Sequence, residues 1–451
     1  MQPPAANSIG LISLGCAKNL VDSETLAGLA QQAGFVMAPR PEQAAVVIIN
    51  TCAFIKDAQQ ESINTILEAC SWKRSGHCRA VLVCGCLPQR HANEIAGALP
   101  EVDAFIGLDR LPEIGAVLQR LQQGEKDIVS IPRRAERIIE PPAGRPLLTP
   151  QPYAYIKIAE GCDNRCHYCT IPGIRGRYRS RPISSIVREA EELLEHGVRE
   201  LNLISQDVTA YGRDRHGVTD LPRLLRALGK IGGRFWIRLL YGHPAHVTPE
   251  ILEAMAAVRQ VCRYLDLPIQ HSHPEMLEAM GRPSPRQGLV RLFEEIRGRL
   301  PGAALRTTCM VGYPGETARH FQHLLDFTAE IAFDHLGVFR FSPEPGTVAA
   351  TLPRRVGARC AAEREKRLML QQRRLVTGRN RGRLGQSDTI MLERTRPRRP
   401  TVWVGRSPAC APEVDGVTYV SMTRPARRLR PGSFVRAHYT RTRGYDMEAC
   451  A

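Results

Sequence analysis

The sequence predicts an α/β multidomain fold: an N-terminal parallel α/β domain, a central partial (β/α)6 barrel and a small C-terminal antiparallel β-barrel. Three observations carry that prediction. The chain has 451 residues, too many for one ordinary domain and enough for two or three. Apolar runs of strand length alternate with helical stretches from Ser8 to Phe341, the pattern of parallel sheets covered by helices. After Asn380 that alternation gives way to short β-rich runs between turn residues such as Pro431-Gly432.

The first domain is read over residues 7–123. Strands are expected at Ser8–Leu14, Val46–Asn50, Ala80–Cys84 and Ala104–Ile106, with helices near Val21–Ala33, Ile55–Ala69 and Glu94–Leu99. Residues 124–150 read as a linker, because Pro132, Pro141, Pro142, Pro146 and Pro150 break regular structure. The central domain, 151–378, carries six expected strands: Tyr153–Ala159, Glu200–Ser205, Phe235–Leu240, Tyr264–Ile269, Ala304–Val311 and His335–Phe341. Helices such as Ser185–His196, Pro249–Val258 and Glu316–Ile331 separate them, which is the order of a partial barrel. A charged helix, Glu363–Arg374, bridges to the last domain, 380–449, with strands at Thr389–Leu392, Thr401–Gly405, Gly416–Val420 and Ser433–His438.

Cysteine usage carries the chemistry. No apolar run is long enough to span a bilayer, and Met1–Asn7 lacks the basic and apolar regions of a signal peptide, so a cytoplasmic protein is expected. In a reducing compartment fourteen cysteines favour metal ligation over disulfides. Cys162, Cys166 and Cys169 stand at Cys-x3-Cys-x2-Cys directly after an apolar strand, with Asp163, Asn164 and Arg165 making the loop polar. Three thiolates on one tight loop can hold three irons of a 4Fe–4S cluster and leave the fourth open. Zinc with His167 as fourth ligand is the alternative.

A second triplet is spread over the first domain. Cys16, Cys52 and Cys86 each follow one of three successive strands. The carboxyl ends of strands in an open parallel sheet share one edge, where ligands bind, so the three should converge on one site. A second three-thiolate cluster is the direct inference. Cys84 is ambiguous, two residues from Cys86. Cys70, Cys78, Cys262, Cys309, Cys360, Cys410 and Cys450 read as small buried hydrophobes. His271 and His273 read as a structural turn before a helix.

A formal charge of +17 points to an acidic partner, with nucleic acid or a nucleoprotein first. Arg394, Arg396, Arg398, Arg399, Arg424, Arg427, Arg428 and Arg430 crowd the last domain, which fits ribosome or RNA docking.

The combination resembles the radical S-adenosylmethionine methylthiotransferases, from about Ile9 to Met447. The resemblance rests on Cys162-x3-Cys166-x2-Cys169 with aromatic Tyr168, on Ile171-Pro172-Gly173-Ile174-Arg175-Gly176 leading to Ser180-Arg181-Pro182, and on Ser205-Gln206-Asp207. It rests also on Leu14-Gly15-Cys16-Ala17-Lys18-Asn19 and Gly405-Arg406-Ser407. The tRNA-modifying branch typically has a Phe-Gly-Cys-Gln-Met-Asn type run around the first cysteine, so this sequence favours the branch that modifies a ribosomal protein. The resemblance implies a radical S-adenosylmethionine barrel, an OB-like TRAM domain at the C-terminus, and a transferase that places a methylthio group on the β-carbon of an aspartate in small-subunit ribosomal protein twelve. Cys162, Cys166 and Cys169 would hold the radical cluster, and Cys16, Cys52 and Cys86 the auxiliary cluster that carries the sulfur. One S-adenosylmethionine would be the radical source and a second the methyl donor. Tyr168, Gln206 and Arg306 are the candidate contacts to it. Implied partners are the ribosomal protein, ribosomal RNA near it, and a low-potential electron donor such as flavodoxin or ferredoxin. The alternatives are a tRNA (adenosine) methylthiotransferase and, from another class, a non-catalytic iron–sulfur RNA-binding or redox-responsive protein.

Overall fold

The structure, a computed structural model, describes residues 5–92, 94–150, 152–282, 284–397, 399–422 and 429–451. Arg398, Arg424, Arg427 and Arg428 of the basic group lie outside the described residues.

The N-terminal sheet has six parallel strands: β1 (Ser8–Ser13), β2 (Val36–Met37), β3 (Val46–Thr51), β4 (Ala80–Gly85), β5 (Ala104–Ile106) and β6 (Ile128–Ser130). Their order is β2-β1-β3-β4-β5-β6. Val46–Ile49 and Val81–Val83 are fully buried because helices cover both faces, as continuous apolar runs require. Two edge strands were not expected. β2 has two residues, and β6 lies in the segment read as linker; runs of two and three residues carry no periodicity to read. The rest of that segment works as a strap. Arg145 pairs with Glu24 of the first domain and Glu189 of the second.

Central strands β7 (Tyr153–Lys157), β10 (Glu200–Ile204), β11 (Trp236–Leu239), β12 (Val261–Asp266), β13 (Ala304–Val311) and β14 (His335–Arg340) form an open parallel sheet in that order, with a short ribbon of β8 (Ala159–Glu160) and β9 (Arg179–Ser180) beside it. β12 lies three residues earlier than the expected Tyr264–Ile269. Pro268 has no N–H for the ladder, so pairing ends at Asp266. Outward side chains, among them Ile156, Leu203, Ile237 and Leu305, join the helices in one core. Inward ones, Tyr153, Tyr155, Ile204 and Tyr264, meet Val21 of the first domain's helix Ala17–Gln32 and Ala411 of the last domain. The lumen is thus filled by its two neighbours.

Helix Ala358–Gly382 is twice as long as expected and leads into a closed five-stranded barrel. Its strands are β15 (Ser387–Arg396), β16 (Arg399–Arg406), β17 (Thr418–Ser421), β18 (Phe434–Arg443) and β19 (Asp446–Cys450). The barrel is antiparallel except where β17 meets β19 in parallel, which lets an odd number of strands close. β19 was missed because Asp446-Met447-Glu448-Ala449 has little strand propensity; closure recruits it.

Candidate active site

β1, β3 and β4 are adjacent in the sheet, so Cys16, Cys52 and Cys86 come to one edge as the chain order implied. Cys16 is the N-cap of the sixteen-residue helix Ala17–Gln32, where the backbone favours a thiolate. Two glycines permit the approach. A Cβ at Gly15 (φ +90°) would lie 2.7 Å from Cys52 Cβ, and one at Gly85 (φ +94°) would lie 2.2 Å from Asn50 Oδ1. Asn19 donates to the carbonyls of Leu14 and Thr51, at 2.9 and 2.8 Å, and so ties the first cysteine turn to the second.

The second triplet is braced by the barrel mouth. Cys162 N–H donates to Gly176 O and Cys169 N–H to Cys166 O, each at 3.1 Å. Arg282 reaches Cys166 Sγ at 3.5 Å and donates to Pro268 O. Asn164 donates to Asp207, whose other partners are Thr209 and His246. Burial alone would raise the Asp207 carboxyl; His246 and the Thr209 hydroxyl hold it down at about 2.

Arg175 joins the two halves. It ends the short helix Ile171–Arg175, six residues after Cys169, and is 1 % exposed. Its guanidinium donates to Glu160 at 2.9 and 3.0 Å, to Asp22 at 2.9 Å and to Asn19 Oδ1 at 2.7 Å, and approaches Cys86 Sγ at 3.4 Å. Lys157 lies between the same carboxylates, Asp22 and Glu160. The loop of one triplet is therefore bonded, through one residue, to a sulfur of the other.

Cysteine titration follows from this setting. Crowding around Cys16 would raise its thiol, yet the residue is exposed, and Lys18, Arg175 and two backbone N–H groups bring it below its ordinary value. Burial pushes Cys86 up to about 12 against the pull of Arg175, Cys162 to about 11 and Cys169 to about 12. Metal uptake must displace these protons.

Both triplets fit an iron–sulfur cluster. Each has three thiols at the end of a strand or on one loop, with an arginine on a sulfur to offset the anionic charge of a cluster. Among the described residues the close three-ligand geometry of a single ion is met by His273, Glu275 and His320, and not by either cysteine group. His167, the zinc alternative's fourth ligand, is instead hydrogen-bonded through Nδ1 to Ala279 O at 2.9 Å.

The candidate cofactor contacts divide. Gln206 donates to Glu160 Oε1 at 3.0 Å, and its own buried Oε1 has no partner, which leaves an acceptor for a ligand. Tyr168 packs beside Met276, Met280 and Tyr313 next to the loop. Arg306 is already held by Asp266 at 3.1 Å and Asp415 at 3.5 Å. Cys84 turns into the core, its Sγ 3.6 Å from Ile49 O. Of the cysteines read as buried hydrophobes, Cys360 is exposed and Cys410 and Cys450 are half-buried, because an amphipathic helix and a small barrel have little interior to offer. Sequence reasoning missed Asp22, Lys157, Glu160 and Arg175 as one network; the only local sign was polar residues on every face of Ala17–Gln32.

Residues 8–107 match a family described as Uncharacterized protein family UPF0004, residues 156–328 the Radical SAM superfamily and residues 384–451 the TRAM domain. The chain is 43% identical over 440 residues to a protein of Desulforamulus reducens named Ribosomal protein uS12 methylthiotransferase RimO, covering 98% of both chains. Proteins of the same name from Heliobacterium modesticaldum and Synechococcus sp. (strain JA-3-3Ab) are 45% and 44% identical; the match covers 90% and 98% of this chain and 88% and 93% of theirs. Among solved structures, the radical S-adenosylmethionine methyltransferase TsrM from Kitasatospora setae, with cobalamin and a [4Fe-4S] cluster bound, aligns at a TM-score of 0.56 and 16% identity over 76% of this chain and 77% of that one. At that identity the likeness is one of fold.

Proposed function

The chain belongs to the RimO family of ribosomal protein uS12 methylthiotransferases, and from that premise we propose how its residues divide the work. It is a radical S-adenosylmethionine transferase acting on ribosomal protein uS12. In our reading Cys162, Cys166 and Cys169 hold a radical 4Fe–4S cluster, and Cys16, Cys52 and Cys86 hold an auxiliary one. When bound, these groups and S-adenosylmethionine supply removal of hydrogen from an unactivated carbon, the sulfur that replaces it and the methyl group, with an aspartate β-carbon as target.

The single observation that supports this reading most is Arg175, anchored on the radical loop's side and touching Cys86 Sγ. Sulfur insertion needs the two groups within reach of one substrate carbon, and a shared buried residue meets that need. The protein's own tasks are to orient and to exclude water. Arg175, Lys157, Asp22 and Glu160 neutralise one another behind the cysteines, so neither triplet can shift without breaking buried ion pairs. Arg282 holds Cys166, and Asn164 with Asp207 holds the loop's outer turn. Gln206 offers its free amide oxygen to S-adenosylmethionine, with Tyr168 beside the loop and Arg306 further along the barrel wall. Electrons come from a flavodoxin- or ferredoxin-type donor, and Arg394, Arg396, Arg399 and Arg430 give the TRAM barrel a basic surface for ribosomal RNA.

Mass spectrometry of uS12 and of tRNA from a strain lacking this protein tests the reading. Loss of the methylthio group from uS12 alone is expected; loss from tRNA alone would overturn it.

A further inference from the structure

Helices Pro274–Ala279 and Ala318–Ile331 follow β12 and β13, and they begin beside each other with a histidine at each start. His271 holds the turn before the first. Its Nδ1 accepts from the N–H groups of Ser272 and His273, at 2.9 and 3.0 Å, and its Nε2 faces Glu316 at 3.5 Å. That ring is committed to the turn, as its place before a helix suggests. His273 is different. It is 8 % exposed, and its buried Nδ1 has no hydrogen-bond partner. Its ring packs on two rings of the second helix, with the His320 centroid 4.4 Å away and that of His323 4.9 Å away. His323 is held by the Ser272 hydroxyl at 2.9 Å, whereas His320 Nε2 points to Glu275 Oε2 at 3.2 Å.

One nitrogen or carboxylate oxygen from each of His273, Glu275 and His320 lies within 4.8 Å of the other two. Ligand atoms about 2.0–2.1 Å from a tetrahedral zinc ion stand about 3.3 Å apart. The His320–Glu275 pair already has that spacing, and the Glu275 side chain, 71 % exposed, can swing to close the remaining gap. We propose that His273, Glu275 and His320 bind a divalent transition metal of the zinc class, with a fourth position open to water. Two imidazoles and a carboxylate suit such an ion, while magnesium and calcium take oxygen ligands. His320 Nδ1 accepts from Thr317 N–H at 3.3 Å, which places the ring proton on Nε2, toward Glu275. A metal at Nε2 shifts that proton to Nδ1 and breaks this one long bond. The ion acts as a clip between the two helices. The far end of helix Pro274–Ala279 backs the cysteine loop, since His167 N–H donates to Met280 O at 3.0 Å and His167 Nδ1 bonds Ala279 O. Pinning the start of that helix therefore steadies the loop from outside. The assignment stands whichever substrate the loop serves.

The test uses the reconstituted holoenzyme, so that the cluster cysteines are occupied, and compares wild type with Glu275→Gln and His320→Gln at equal iron content. Equilibrium dialysis against micromolar zinc should load wild type with one equivalent more than either variant, and Glu275→Gln should weaken binding by about tenfold or more. X-ray absorption at the zinc edge should show nitrogen and oxygen neighbours in wild type. Equal zinc in all three proteins overturns the site, as do sulfur neighbours in place of nitrogen and oxygen, which would put the metal on free cysteines. Should His320→Gln fail to fold, Glu275→Gln carries the comparison, because its side chain is exposed. Hydrogen exchange at residues 274–280 should slow with zinc in wild type and stay unchanged in the variants. Zinc held by nitrogen and oxygen with no change in exchange overturns the clip.

Discussion

Arg175 carries the charge balance between the two cysteine triplets. Its four side-chain partners come from the first domain and from the ribbon before the radical loop, and all are buried. Replacing it with methionine leaves Asp22 and Glu160 sharing only Lys157, and breaking a buried pair in this way costs about 3–5 kcal/mol. Arg175→Met should therefore lower the unfolding midpoint strongly, while Arg175→Lys, which keeps the charge but not the fork, should fall between; chemical denaturation of the three proteins compares them. At the same scale, changing Cys162, Cys166 and Cys169 together to alanine should leave about half the iron of the reconstituted protein, because a three-thiolate group is then still present at Cys16, Cys52 and Cys86. Iron analysis checks it, and near-complete loss would show that the two groups do not load independently. The grouping of these six cysteines at two places was legible because their spacing is local or tied to strand ends. The place of Arg175 beside them was not, since Asp22 lies 153 residues away in sequence.

The strand ends make the turns that deliver the cysteines, and glycine is required where the backbone turns left-handed against a neighbour. At Gly85 any Cβ would meet Asn50 Oδ1 at 2.2 Å and Thr51 O at 2.7 Å, in a conformation side chains avoid. Gly85→Ala should destabilise the first domain by at least about 1 kcal/mol and lower iron binding at Cys86 before it affects the radical loop. Calorimetry and the spectrum of the remaining cluster read the two effects separately. Element positions were legible where apolar runs were long, as for β13, which lies where the sequence placed it, at Ala304–Val311. They were not legible for β2, β6 and β19, short edges whose pairing is decided by the sheet they join.

Across the whole molecule, the barrel lumen is closed at the far side by the last domain. His335 on β14 contacts Asp415 at 3.3 Å and Ala409 O at 2.7 Å, while Tyr264 and Arg306 hold the same carboxylate. Burial would lower the His335 pKa, but Asp415 and the neighbouring groups raise it to about 9. A histidine whose folded value lies above its unfolded one, about 6.5, stabilises fully below that value, and the contribution is lost as pH rises through about 9. Docking of the TRAM barrel should weaken by about 1–3 kcal/mol between pH 6.5 and 9.5. Hydrogen exchange at residues 406–415 should rise over that window and lose its pH dependence in His335→Gln. A flat profile in wild type would remove the ion pair from the account.

By itself the sequence determined the three-part α/β order, the two cysteine triplets and the family they belong to. Strand period, turn residues and ligand spacing are properties of a few neighbouring positions, and they survive without knowledge of the rest of the chain. Tertiary structure alone decided that one arginine touches both halves of the site and that Cys84 faces the core while Cys86 faces the edge. Charge compensation and burial depend on segments separated by more than a hundred residues, so they exist only once the three domains have packed against one another.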